Sequence, residues 1–540
     1  MRDWKKEKGK RKATGCRLQA AGSPGNARSV PPVACRLQPV ALFFFLFPFS
    51  FCLLPAFADI AEVVPADSLL YIEVAKPADL WAALQKTELR QAVKSSLVTE
   101  FILNFTASTA DLFSRSLVNR PLSEAAERYG FSLAVAFAPV QPGGAPAYAV
   151  ILEATQNAAE LRELLLKNAG NTLTARFPDV RVTRERIAGS GVQSFAFSPK
   201  HVWCLAVCRE RVIFGGRTAV TWMLKAARAS TRFAPAGGAS LASRPAFRAI
   251  RADAIGLSRK THPAGPGVFG YAEISEAAGL GSIIYARGTQ IAGALDVDGA
   301  LIRDVTLLRG PLSIPQLGKP GPCSISAAFP PGPYIIHQVS FASDADVLQF
   351  MPVAALPDLQ ADDDSIRGVF SGIGFVAESP QANGPVIAAE IADASRLGAF
   401  MERLGLLKNG DGWASPLMAA ELNGRYVYLG AAADVDGVIR RLRAPNAAKL
   451  DDRQNLIAKL LPKTGHGYSL MTSDFLKSIP WAVEFEFIKP AAAGLPPACA
   501  HALKTDDGLV ITSISPCGYA IWLVSANVAC ARNGEPPFQR

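Results

Sequence analysis

The chain has 540 residues, of which 49% are apolar and only 19% are charged. This composition excludes a disordered chain and a coiled coil, and the length predicts roughly three or four domains that each bury a core. Lys and Arg number 56 against 46 Asp and Glu, so the formal net charge is +10. Such an excess raises the question of an acidic partner, either nucleic acid or a membrane surface.

Most of the positive charge lies at the N-terminus. Residues 1–40 hold ten basic and two acidic side chains, and the apolar stretch 40–58 carries no charge and ends in Ala-Phe-Ala. A basic region, an apolar stretch and small residues at its end are typical of a secretory signal, so we predict signal cleavage after Ala58. The alternative is an uncleaved N-terminal anchor. Because the basic region is unusually long, we also expect the true translation start to lie downstream of Met1, at Val30 or Val33.

Removal of residues 1–58 leaves a nearly neutral chain. Ten of the 56 basic and two of the 46 acidic side chains are lost, which leaves 46 against 44 and a net charge of about +2. No later apolar run reaches the length of a membrane span, so no transmembrane segment is expected after cleavage. Short basic runs at 181–186 and 440–443 lack interleaved aromatic residues and are expected to form solvated faces, so no nucleic-acid partner is predicted.

Six cysteines remain after cleavage. Cys204 and Cys208 lie in an apolar run that predicts a strand, where four residues span roughly 13 Å, too far for a disulfide between them. Cys499, Cys517 and Cys530 lie close together in the sequence and are candidate disulfide cysteines in an oxidising compartment, with buried free thiols as the alternative. No C-x-x-C or paired histidines indicate a metal site, and no cofactor is predicted.

Two parts of the chain present the same order of elements. The strand, glycine and helix pattern around Val212 and Gly215 recurs 215 residues later around Val427 and Gly430. Asp298-Gly299 between two apolar runs is typical of a β-hairpin turn. The patterns predict an α+β fold made of duplicated units of antiparallel β-sheet with helices packed on one face. The first half covers 59–310, a Pro/Gly-rich linker covers 311–322, and the second half covers 323–540.

Four segments carry a resemblance to a known family: PADSLLYIEV, VIFGGRTAVTWMLKAAR, SLASRPAFRAI and DDGLVITSISP. Together they make the chain resemble secreted bacterial proteins that carry domain of unknown function 3352, over most of the sequence after residue 58. The resemblance implies an exported or envelope-associated protein, and it implies no catalytic residues.

The residues that carry chemistry show no catalytic spacing. None of the five histidines lies in an H-E-x-x-H motif, and His466, between two glycines, is expected in a loop with a structural role. The acidic run 362–364 and the pairs Asp296/Asp298 and Asp434/Asp436 suggest cation sites, but a solvated loop, a hairpin turn and a helix cap explain them. No catalytic, cofactor-binding or metal residue is therefore predicted.

These observations favour a non-catalytic structural or binding component of the cell envelope or periplasm, exported to the periplasm or the exterior. The first alternative is an extracytoplasmic hydrolase whose site is assembled from residues far apart in sequence. The second is an assembly factor that binds lipid or peptide. The partner is accordingly expected to be a protein, a peptide or a lipid.

The signal peptide gives a direct prediction: the exported protein begins at Asp59. Mass spectrometry of the N-terminal peptide, from protein recovered outside the cytoplasm, measures this start. An Ala58→Arg variant keeps the precursor uncut because the peptidase needs a small residue there. A mature start upstream of Val40 contradicts the prediction.

Overall fold

The computed structural model describes residues 60–75, 77–94, 111, 114–138, 147–198, 201–208, 210–229, 240–261, 266–273, 288–311, 316–343, 346–347, 367–444, 462–478 and 497–515. The predicted signal peptide, the acidic run 362–364, Cys517 and Cys530 lie outside the described residues. Within the described residues, no helix is both long enough and apolar enough to cross a membrane.

Twenty antiparallel strands in these described ranges form one sheet. Their sequences are rich in β-branched and aromatic residues, which fit a pleated surface that is buried on at least one side. The strands are β1 Leu70–Val74, β2 Phe131–Phe137, β3 Tyr148–Ala154, β4 Arg181–Ile187, β5 Ser190–Ser198, β6 His201–Cys208, β7 Arg211–Gly216, β8 Val268–Glu273, β9 Gln290–Asp298, β10 Leu301–Arg309, β11 Ile335–Ser340, β12 Phe370–Glu378, β13 Val386–Ile391, β14 Leu407–Asn409, β15 Gly412–Ala414, β16 Ala419–Asn423, β17 Tyr426–Gly430, β18 Gly467–Met471, β19 Ala498–Thr505 and β20 Gly508–Ser515.

The order of the strands across the sheet is the same in its two halves. From one outer edge to the centre, the hydrogen-bonded neighbours are β4-β5-β6-β7-β3-β2-β1-β8-β9-β10. From the other outer edge to the centre, they are β14-β15-β16-β17-β13-β12-β11-β18-β19-β20. The two series meet where β10 pairs with β20, so corresponding strands form the central pair.

Helices connect the strands at corresponding places as well. The helix that follows β13 begins at an aspartate N-cap. The side chain of Asp393 accepts a hydrogen bond from the Ser395 amide at 2.9 Å. The helices are α1 Pro77–Leu84, α2 Glu88–Lys94, α3 Leu122–Tyr129, α4 Ala158–Arg176, α5 Arg217–Ala229, α6 Pro245–Thr261, α7 Ile325–Ala328, α8 Ala394–Arg403, α9 Ala432–Arg443 and α10 Ser473–Ser478, with 3-10 turns at Ile60–Glu62 and Leu241–Ser243.

The antiparallel sheet with helices confirms the coarse fold prediction, but the prediction of helices on one face is wrong. Val212 and Ile213 are neighbours in β7 and therefore point to opposite faces. Ile213 packs in a core with Val220 of α5, whereas Val212 packs in another core with Ala169 of α4. We call the side of Ile213 face A and the side of Val212 face B. Helices cover both faces because strands such as β7 are continuously apolar, and both of their sides need cover.

The central pair joins the two halves through eight directly opposed residue pairs, from Ile302 with Ser515 to Arg309 with Gly508. In its middle, the buried hydroxyl of Ser513 donates to the carboxylate of Asp304. Each strand of the pair is the second strand of a hairpin. The hairpin turn predicted at Asp298-Gly299 is confirmed, since β9 ends at Asp298, β10 begins two residues after Gly299, and Gly299 has φ of 62°.

We predict that Gly508→Ala destabilises the fold by about 1–3 kcal/mol. Gly508 has φ of 146°, and a Cβ there would lie 1.9 Å from the Leu308 carbonyl oxygen in the facing strand. The urea midpoint of the variant measures the loss. Gly256→Ala is the matched control because it lies in α6 with open space around it, where alanine favours the helix. An equal midpoint for both variants contradicts the prediction.

Candidate functional site

A layer of buried aromatic and charged side chains lies on face A between β1, β8 and α6. Tyr71 and Tyr271 are directly opposed in the pairing of β1 with β8. Each hydroxyl donates to the glutamate two residues further along its own strand, Tyr71 to Glu73 at 3.0 Å and Tyr271 to Glu273 at 3.2 Å. Phe247 of α6 packs edge-on against both tyrosine rings, with centroid distances of 6.0 and 5.0 Å.

Two arginines neutralise the glutamates of this layer. Arg251 Nη2 lies 2.7 Å from Glu73 Oε2, and Arg244 Nη2 lies 2.6 Å from Glu273 Oε2. The Glu73 side chain is only 1% exposed, so its charge depends on this pairing. The Arg251 guanidinium also lies over the Phe247 ring, 5.9 Å from its centroid. Burial raises the pKa of Tyr271 above its usual value. The arrangement holds α6 on the sheet, and its carboxylates are already engaged by cations.

The corresponding place in the second half holds a neutral polar row. Gln338, Tyr468 and His501 are directly opposed across β11, β18 and β19. The segment before α7 crosses this row, because Gln338 Oε1 accepts from the Ser324 amide at 2.7 Å and Gln338 Nε2 donates to the Pro322 carbonyl at 2.9 Å. Backbone groups of this segment therefore supply the hydrogen-bond partners of the Gln338 side chain.

His501 is held between protein groups in the same row. Its Nε2 lies 2.7 Å from the Thr464 carbonyl oxygen, and its ring packs against Tyr468 with a centroid distance of 5.3 Å. A Cβ on Gly465 would lie 2.4 Å from the His501 ring, so only glycine fits there. Burial lowers the pKa of His501. These contacts indicate a structural histidine.

Face B carries a serine–histidine contact near the centre of the sheet. His337 and Ser469 are directly opposed, and His337 Nδ1 lies 2.7 Å from Ser469 Oγ. Burial lowers the pKa of His337 to about 4, so the imidazole is neutral at pH 7. A base with so low a pKa is far from the value near the working pH that general-base catalysis favours.

The carboxylate in the same cross-strand row, that of Asp304, is remote from this contact. The same cross-strand row continues from Ser469 through Ala500 and Ser513 to Asp304. Three strand spacings separate Ser469 from Asp304, which is roughly 14 Å. Asp304 is moreover engaged by Ser513. The row therefore holds two separate hydrogen-bonded pairs with Ala500 between them.

The residues singled out in the sequence lie apart from one another. His466 lies beside β18, where its Nδ1 accepts from the Lys504 amide at 3.0 Å, and burial lowers its pKa. Asp434 lies in the first turn of α9 and accepts from the Asn383 amide at 2.9 Å, so it braces a loop where a helix cap was predicted. In the ranges that the structure describes, no group of three or more His, Cys, Asp or Glu side chains could hold a metal ion.

The cysteines are placed as follows. Cys204 and Cys208 are buried in β6, and Cys204 Sγ lies 3.3 Å from Ser194 Oγ. Cys499 is buried in β19, and burial raises its pKa. Its two candidate disulfide partners lie outside the described residues, so that pairing stays a prediction.

The layer that contains Tyr71, Glu73, Tyr271 and Glu273, which we call the Tyr-x-Glu layer, was not predicted from the sequence. A signal was present, since Tyr71-Ile-Glu73 and Tyr271-Ala-Glu273 repeat the same spacing within two predicted strands. An alternating strand pattern assigns both side chains to one face but does not tell which face is buried.

Comparison of the chain with protein-family models, with curated proteins and with solved structures finds no match.

We predict that Arg251→Met destabilises the protein by about 3–5 kcal/mol, because it leaves a buried carboxylate that has lost its cation. The double variant Glu73→Gln/Arg251→Met recovers part of this loss, since the charge is removed together with its counterion. Urea unfolding measures both. Arg425→Met is the control, as its pair with Glu390 is largely exposed on the arginine side and worth less than about 1 kcal/mol. A double variant that is no more stable than Arg251→Met contradicts the prediction.

Proposed function

We propose that the chain is an exported, non-catalytic binding or structural component of the cell envelope, located in the periplasm or at the cell exterior. The observation that carries the proposal is that the polar groups of the three described clusters are bonded to other groups of this chain. The Tyr-x-Glu layer, the Gln338 row and the His337–Ser469 contact each join polar groups of this chain to one another. Such groups hold a large sheet together and leave little capacity for proton transfer.

We also propose that the sheet arose by duplication of a ten-strand unit. The shared strand order supports this, and so does the position of the helices. α5 follows β7 and α9 follows β17, each on face A, whereas α4 follows β3 and α8 follows β13, each on face B. A duplication explains why the central pair is made of corresponding strands, because two copies of one exposed edge are self-complementary.

Support for export comes from the sequence alone. The basic and apolar N-terminal stretch, the near-neutral remainder and the resemblance to secreted bacterial proteins with domain of unknown function 3352 point in the same direction. An envelope protein that binds lipid or peptide is one form of the proposal.

The hydrolase alternative rests on the 2.7 Å contact between Ser469 and His337. The low pKa of His337 and the distance to the nearest carboxylate of the same row argue against it.

The decisive experiment compares purified wild-type protein with Ser469→Ala on panels of generic esters and glycosides, and locates the protein by cell fractionation. The proposal predicts recovery outside the cytoplasm and no turnover above buffer by either protein. Ser469→Thr, which keeps the hydroxyl, serves as the control for folding. Turnover that Ser469→Ala abolishes and Ser469→Thr retains overturns the non-catalytic assignment, and recovery in the cytoplasm overturns the envelope assignment.

A further inference from the structure

The large apolar side chains that are exposed in the described residues lie at the two outer ends of the sheet. Phe177 is 43% exposed and Phe197 is 39% exposed, beside β4 and β5. Leu407 is 74% exposed in β14, and Leu417 is 83% exposed after β15. Phe197 lies in β5 just before its connection to β6, and Leu417 lies in the corresponding connection between β15 and β16.

The two phenylalanines form one aromatic surface. Their rings meet edge to face with a centroid distance of 5.4 Å. Phe177 follows the last residue of α4, and Phe197 lies where the pairing of β5 with β6 shifts its register. Each ring therefore packs on the other and still keeps part of its surface exposed.

Arginines lie at the same end of the sheet as this aromatic pair. Arg176 ends α4, and Arg181, Arg184 and Arg186 stand exposed on the outermost strand, β4. The nearby acids are Asp179, which is exposed, and Glu185, whose Oε2 accepts a hydrogen bond from Arg217 Nη2 at 2.5 Å. With Arg217 included, these residues comprise five cations and two carboxylates, so this end of the sheet carries a net positive charge.

Protection of an edge strand explains only part of this arrangement. Charged side chains on an edge hinder the addition of a foreign strand, and β4 uses arginine in this way. The same logic disfavours an exposed aromatic pair, because apolar surface at an edge promotes association. The combination of exposed aromatic rings and exposed arginines at one end of the sheet instead matches the interface of a negatively charged bilayer, where rings enter the headgroup region and guanidinium groups bind phosphate.

The other end of the sheet offers a natural contrast. Leu407 and Leu417 are more exposed than the phenylalanines, but their neighbourhood is balanced in charge. Lys408 lies over the Trp413 ring at 4.0 Å from its centroid, and Asp411 is exposed in the adjacent turn. Exposed apolar surface without an excess of cations is therefore present in the same molecule.

We propose that the Phe177–Phe197 pair and the arginines at the same end of the sheet form a docking site for an anionic phospholipid bilayer surface. The inference deepens the proposed function, on which it rests, by giving the envelope protein a lipid partner. The arginines supply attraction to phosphate groups, and the rings supply insertion into the headgroup layer.

The experiment measures partition of the full chain, as recovered from the exporting cell, onto vesicles of phosphatidylglycerol mixed with phosphatidylcholine or of phosphatidylcholine alone. We expect binding to the anionic vesicles only, weakened by added salt. Phe177→Ser/Phe197→Ser reduces the partition coefficient about tenfold or more. Arg181→Gln/Arg184→Gln reduces it about fivefold per arginine.

Leu407→Ser/Leu417→Ser is the matched control and keeps the wild-type partition coefficient. All variants share one N-terminus, so a difference between their partition coefficients is due to the substituted side chains and not to the N-terminal sequence. Hydrogen exchange of 176–198 with and without anionic vesicles supplies a second readout, in which this stretch gains protection. Far-UV circular dichroism establishes that each variant is folded.

Three results overturn the proposal: no partition onto anionic vesicles, a phenylalanine variant that binds as wild type, or an equal loss in the leucine control. Binding of a single-stranded oligonucleotide that the phenylalanine variant abolishes, without vesicle binding, also overturns it. Each of these leaves export and the absence of turnover intact, because fractionation and the substrate panels test those separately.

Discussion

The pairing of β10 with β20 is the constraint on which the rest of the sheet depends. Each of these strands would otherwise be the exposed edge of a ten-strand unit, with a row of unpaired amide and carbonyl groups. Because β10 and β20 pair with each other, neither is an exposed edge, and β4 and β14 are the outer edges of the described sheet. Those two are guarded in different ways, since β4 carries arginines and β14 has only three residues.

The central pair also limits what its side chains can be. Asp304 is 6% exposed and Ser513 is fully buried, so the carboxylate needs the hydroxyl, and both need their strands in this register. Gly508 lets the backbone of β20 approach Leu308 closely. The Tyr-x-Glu layer follows the same rule, in that the buried Glu73 and the partly buried Glu273 each pair with an arginine from the α6 region. Polar groups thus fix register and helix position in a sheet whose two faces are otherwise apolar.

Much of the local structure could be predicted from the sequence. The Asp298-Gly299 turn and the cap at Asp393 have short-range causes, namely a glycine with positive φ and a carboxylate that accepts a helix amide. The pairing of β10 with β20 could not be predicted, because it joins residues 199 to 213 positions apart with no local signal. Helices on both faces were missed because an apolar run such as Val212-Ile213-Phe214 does not reveal whether one or two of its sides need cover. The aromatic pair at 177 and 197 was missed because the two rings meet only in the folded chain.

Hydrogen exchange at the central pair tests the account most directly. In the wild-type protein, the amides of β10 that face β20, and those of β20 that face β10, are predicted to exchange as slowly as the amides between β3 and β7 in the interior of the first half. Exchange of both sets as fast as the amides of the outer strand β4 would contradict the account, because β10 and β20 would then behave as two free edges.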